Sequence, residues 1–177
     1  MKTFIAGIIN TAMVAAIGTV SYYQYEEQKI QDALLAEEAR IEQALSQFSD
    51  DDKYCLAQNI FFEARNQSEL GQAAVAWVTL NRMEHDRYPA SICGVVWQDR
   101  QFSWTHDGKS DDPSNYNEPA AWEHAVEVAE TILLDYVTEG WDPTNGATMY
   151  HADYVDPYWA KSYAMVSQIE SHIFYKQ

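Results

Sequence analysis

Asn59-Ile60-Phe61-Phe62-Glu63-Ala64-Arg65, followed closely by Gly71-Gln72-Ala73-Ala74-Val75-Ala76, is the stretch on which the reading of this chain turns. It predicts a helix over residues 51–65, opened by Ser49-Asp50-Asp51-Asp52, with a capping hydroxyl and acids at the positive end of the helix dipole. Leu56, Ile60 and Glu63 stand at i, i+4 and i+7 and share one face, which otherwise reads as core. A carboxyl on such a face has two explanations. Either it is paired with Arg65 or Arg82 to hold two helices together, or its pKa is raised so that it can give up a proton near neutral pH.

The pattern extends on both sides. Asn66-Gln67-Ser68 breaks the first helix, and Ser68 is placed to cap a second over residues 69–83 that is apolar on nearly every side, as a helix buried at a domain centre is. From residue 85 to 117 the periodicity is lost among Pro89, Gly94, Gly108 and Pro113. Irregular stretches of that length usually bind or cover something. Glu118-Pro119 opens a third long helix, with Asn117 as its expected cap and Gly140 as its terminator. Asp142-Pro143-Thr144-Asn145-Gly146 is a turn, residues 147–151 suit a short strand, and residues 167–169 and 172–175 suit a hairpin. The sum is a helix-dominated α+β domain with a few short strands.

The region before it differs in kind. An apolar run over residues 4–20 follows Lys2 and precedes Glu26, Glu27, Asp32, Glu37 and Glu38. At about 17 residues it sits at the lower edge of a membrane span, and the charge asymmetry favours an N-in, C-out orientation. A permanent signal anchor is the favoured reading. A signal peptide cleaved near Ala16-Ile17-Gly18 and a weak span that can leave the membrane are the alternatives. The expected organisation is thus residues 1–23 as anchor or signal peptide, 24–48 as helical stalk and 49–177 as the functional domain. That places the domain outside the cytoplasm: anchored at the inner membrane, periplasmic, or secreted if the segment is cleaved. The formal net charge of −16 argues against nucleic acid as a partner, because a phosphate backbone would be repelled.

Glu63-Ala64-Arg65, Gly71-Gln72 with Ala74-Val75-Ala76, and Leu80-Asn81-Arg82 together resemble the signature of the SleB-like cell-wall hydrolase family, which includes spore cortex-lytic enzymes and phage-encoded lysins (endolysins). Ile92-Cys93-Gly94-Val95-Val96, Gln101-Phe102-Ser103-Trp104, Gly140-Trp141-Asp142-Pro143-Thr144 and His172-Ile173-Phe174-Tyr175 follow in the family's order, so the resemblance spans about residues 54–177. Two positions depart from it. Asn66-Gln67 replaces the family's Gly-Glu after Glu-Ala-Arg, and Glu170 stands near a place where the family often has Gly.

The resemblance implies a lysozyme-like fold, peptidoglycan as partner and Glu63 as catalytic acid. Glycosidic cleavage needs a proton donor and a means of stabilising positive charge at the sugar carbon. With Gln67 in place of a second acid, a lytic transglycosylase is the expected enzyme, because one glutamate then serves as acid and base. Gln101, Ser103, Trp104, Tyr150 and His151 are the candidate substrate-binding residues. Neither a cofactor nor a metal is expected: no His-Glu-x-x-His or Cys-x-x-Cys motif occurs, which weighs against a zinc amidase. A membrane-anchored wall-binding module without catalysis is the other alternative. Cys55 and Cys93 are either bridged, as export would favour, or two buried thiols.

Overall fold

The computed structural model describes residues 2–177, with side chains from residue 21 onward. The side chains of the apolar run at 4–20, on which the anchor reading rests, lie outside the described residues. Among the described residues no helix is long and apolar enough to cross a membrane.

The chain divides into two compact units, residues 1–43 and 44–177. Helix α1 (Lys2–Leu45) makes up the first. Within it, Gln28 donates to Asp32 and Arg40 pairs with Glu37, both between neighbouring turns of the helix surface. Ile30, Leu34 and Leu35 remain more than half exposed.

The second unit is built on two capped helices. Ser49 accepts from the Asp52 backbone N–H at the start of α2 (Asp50–Ala64), and Ser68 does the same from Gly71 for α3 (Glu69–Met83). Both caps stand where the sequence places them. Gly71 explains its own identity, since a Cβ there would lie 2.8 Å from Gln67 Cβ. α3 is sandwiched. Ala76, Trp77 and Leu80 pack with Leu56, Ile60 and Phe61 of α2 in the larger core, while Ala74 and Val78 join Ala147, Ile169 and Phe174 in a second one. Its small residues therefore admit the sheet on one side as well as helices on the other.

Short α4 (Ile92–Val96) and the 3-10 turns Ser103–His106 and Pro113–Tyr116 lie in the stretch that lacked periodicity. A disulfide joins Cys55 of α2 to Cys93 of α4. Helix α5 (Pro119–Val137) differs from expectation at its start. Asn117 takes a left-handed conformation at φ 48° and ends the preceding turn, and Glu118 occupies the cap position without a side-chain bond to the helix N–H groups. Ala125, Ala129, Ile132 and Leu133 bury its inner face.

The three strands are β1 (Met149–Ala152), β2 (Ala164–Ile169) and β3 (His172–Lys176), all antiparallel in the order β1-β3-β2. The irregular register between Met165 and Ser167 is a β-bulge in β2. The β2–β3 turn accounts for one family departure. Glu170 sits at φ 50°, where glycine is the natural choice, yet its carboxylate accepts from the Ser68 N–H at the start of α3. Those Ser68 bonds hold the Glu170 carboxyl below its ordinary range. The helix-dominated α+β architecture read from the sequence is the architecture observed.

Candidate functional site

Glu63 lies in the last turn of α2, partly buried. Loss of solvent raises its pKa, and the negative end of the helix dipole acts in the same direction. Two contributions oppose this. The Tyr150 hydroxyl donates to Glu63 Oε2 at 2.9 Å, and the nearby Arg82 guanidinium favours the carboxylate. Desolvation is the larger effect, so the carboxyl remains a better proton holder than one in water.

The ion-pair alternative is decided by the partners of the two arginines. Arg65 turns away, bonding Glu118 at 3.1 Å and lying over the Phe61 ring. Arg82 is buried, donates from Nε to the Thr148 carbonyl at 2.8 Å, and is flanked by the rings of Tyr88 and Phe102. It acts on Glu63 through its field and forms no direct salt bridge with it. Burial also lowers the Arg82 pKa.

Tyr150 is set by β1. Its ring stacks on Phe174 at 5.6 Å and meets His172 edge-on at 5.3 Å, while burial and the neighbouring Glu63 push its hydroxyl pKa well up. His151, one residue on, stacks on Tyr175, and its Nε2 lies 3.1 Å from the Tyr175 hydroxyl. These groups border a cleft of about 460 Å³, of the size that holds a small ligand. Glu63, Arg82, Gln101, Ser103, Tyr150 and His151 all line it. Ala152, Tyr154, Val155 and His172 complete the lining; only His172 falls within a quoted motif, and none of the four is a site residue expected from sequence. The turn after β1 carries Tyr154 and Val155, and a tyrosine beside two aspartates offers no periodic signal. A second cavity of similar volume, between α3 and α5, contains none of these residues.

Trp104 corrects one expectation. It is only 6% exposed, stacks on Phe62 at 4.6 Å, and its indole N–H donates to Asn59 Oδ1. Asn59 is fully buried and in turn donates to Thr79. An unpaired amide there would be costly, so the indole is recruited inward as its donor and does not line the cleft. Gln67 also points elsewhere, its amide oxygen accepting from Ser171.

Behind the cleft, Asp142 organises the approach to β1. Its carboxylate accepts from Thr144 N–H and hydroxyl, from Gly146 N–H and from Asn81, whose amide also donates to the Ala147 carbonyl. That network seats the strand carrying Tyr150 against the end of α3. Among the described residues no group of three or more His, Cys, Asp or Glu side chains could hold a metal ion.

A helix-dominated domain with a helix-borne glutamate facing a small sheet matches known proteins. Residues 66–175 match the family model described as Cell Wall Hydrolase, and the chain belongs to that family. The matched segment begins three positions after Glu63. Spore cortex-lytic enzymes are similar: that of Halalkalibacterium halodurans is 34% identical over 142 residues, covering 78% of this chain and 39% of that protein. The Bacillus subtilis one is 33% identical over 128 residues, covering 72% and 38%. The chain thus spans less than half the length of these relatives. Among solved structures, the catalytic domain of the germination-specific lytic transglycosylase SleB from Bacillus anthracis superposes with a TM-score of 0.53 at 29% identity, covering 73% of this chain and 97% of that one. The Bacillus cereus SleB catalytic domain gives 0.54 at 29% identity, with 73% and 92% covered.

Proposed function

We propose that this chain cleaves the glycan strand of peptidoglycan as a lytic transglycosylase, with Glu63 as the single group that gives and then takes the proton. One observation carries the reading: among the described residues lining the cleft, Glu63 is the only carboxyl group. Retaining and inverting glycosidases place two carboxyl groups about 5–9.5 Å apart across the scissile bond. A transglycosylase needs only one. The similarity to SleB catalytic domains supports the same reaction.

The steps follow from the geometry. With Tyr150 donating to Oε2, the proton of neutral Glu63 resides on Oε1, free for the glycosidic oxygen. Protonation releases the leaving sugar, and positive charge develops at the muramic acid C1. The C6 hydroxyl of the same sugar attacks C1 and passes its proton to the carboxylate, closing a 1,6-anhydro ring and restoring Glu63. Tyr150 and Arg82 stabilise the transient carboxylate, while burial favours its reprotonation. Gln101, Ser103 and His151 border the same space and supply polar contacts to the sugars. Trp104 supports the cleft wall from within. A helix-end glutamate opposite a small sheet favours the lysozyme-like description.

Delivery is part of the proposal. The run at residues 4–20, led by Lys2 and followed by acids, suits an anchor or export signal, with residues 24–48 as stalk and 49–177 as the extracytoplasmic enzyme. Mass spectrometry of purified peptidoglycan after digestion tests the activity. Anhydromuropeptides are the expected product. Reducing-end muropeptides would mean hydrolysis, free stem peptides an amidase, and an undigested wall a binding module.

A further inference from the structure

The loop over residues 153–163, which contributes Tyr154 and Val155 to the cleft lining, presents two aromatic rings to solvent. Tyr154 is 87% and Tyr158 is 91% exposed, the two most exposed large apolar side chains among the described residues. Neither ring stacks on another. The loop beneath them is firmly tied. Trp159 packs against both His151 and Tyr175 at 5.5 Å, and Asp153 N–H bonds the Ser171 carbonyl at 2.7 Å. Turns close from Val155 to Ala152, Ala160 to Pro157 and Ser162 to Trp159. One aromatic residue anchors the loop while two are held out on it.

We infer that Tyr154 and Tyr158 form a stacking platform for the glycan strand, extending the cleft beyond the sugars at Glu63. The inference rests on the reading of the cleft as a glycan site. A polymer bound at Glu63 must leave the cleft over its rim, and Tyr154 lines that rim. Pyranose rings offer apolar C–H faces that match a tyrosine face. Asp153 and Asp156 flank the rings, with Lys161 paired to Asp156 at 3.6 Å, so the surface suits a neutral sugar better than an anionic stem peptide. A loop already tied down also loses little freedom on binding.

The test uses the full chain carrying Glu63→Gln, sedimented with purified insoluble peptidoglycan. Adding Tyr154→Ala and Tyr158→Ala is expected to weaken binding about 10-fold, whereas Tyr154→Phe with Tyr158→Phe, which keeps the stacking faces, binds as the parent does. Met165→Ala, also exposed but outside the cleft, is the control. In the active enzyme the double alanine variant is expected to raise KM for the polymer far more than it changes kcat. Glycan strands stripped of stem peptides should show the same dependence. Unchanged affinity in the double alanine variant overturns the platform, and so does a dependence that vanishes once the peptides are removed. Failure of the native enzyme to release anhydromuropeptides would instead count against the reaction assigned to Glu63.

Discussion

Tyr150→Phe probes the proposed acid most directly. The native hydroxyl donates to Glu63 Oε2 at 2.9 Å, where loss of solvent is the main influence on the carboxyl. A hydrogen bond to a charged group contributes about 1.5–3 kcal/mol, against about 0.5–1.5 kcal/mol for the neutral bond that Tyr150 makes to the acid, a difference of about 1–1.5 kcal/mol. That difference favours the carboxylate over the acid, so its loss moves Glu63 further toward the protonated form. At about 1.36 kcal/mol per tenfold change, the ionisation equilibrium shifts about 5- to 13-fold. The basic limb of the kcat/KM profile is therefore expected to move up by about one pH unit. The plateau falls as well, because the acid is weaker and the carboxylate loses its support. Phenylalanine keeps the ring on Phe174 and against His172, so thermal unfolding by circular dichroism should change little. The assay is the initial rate of muropeptide release across a pH series. A basic limb that stays in place, or moves to lower pH, would refute the coupling of Tyr150 to the reacting carboxyl.

Glu63→Gln should lower the rate by about 100- to 10,000-fold while leaving the fold intact, and more than a tenth of native activity would remove Glu63 from the mechanism. The same variant has a stability signature. Burial raises the Glu63 pKa, so its native state holds the proton more tightly than the unfolded chain, and stability is lost as pH rises through the native pKa. The glutamine form should be the more stable at high pH, with the difference fading in acid, as read by urea unfolding at several pH values. Replacing Cys55 and Cys93 by serine, across a sequence separation of 38, should cost about 2–4 kcal/mol in denaturant unfolding, and a loss below about 1 kcal/mol would be too small for this bridge. Asp142→Ala strips the acceptor shared by Thr144, Gly146 and Asn81 and should destabilise the domain by about 2–4 kcal/mol, visible as a lowered melting temperature.

Much of the fold was legible because its causes are local. Ser49 and Ser68 mark helix starts through bonds to N–H groups three residues on, and apolar spacing identifies buried faces without knowledge of what covers them. Asn117 misled the reading for a local reason too. Its spacing before Pro119 marks a cap, but Pro113–Tyr116 forms its own turn, which Asn117 closes in a left-handed conformation. Gln101 and Ser103 were legible through a motif, and Tyr150 and His151 through the short strand expected at residues 147–151; all four line the cleft with Glu63. Trp104 was not separable from Ser103, since neighbours on a tight turn point in different directions.

Residue spacing alone puts a carboxyl on an otherwise apolar helical face, next to a helix with no polar side to spare. Periodicity is enough for that, because the side chains sharing a face follow from 3.6 residues per turn. The sequence also implies an acidic, helix-rich chain with an apolar run over residues 4–20. Which groups Glu63 meets follows from packing between distant segments. Arg65, two residues away, goes to Glu118, while Tyr150, 87 residues away, supplies the hydrogen bond. Trp104 likewise turned inward because the buried amide of Asn59, 45 residues earlier, needed a donor. The physical reason is common to both. Burial faces are written in local spacing, but the pairing of polar groups is settled by which distant donors packing brings within about 3 Å.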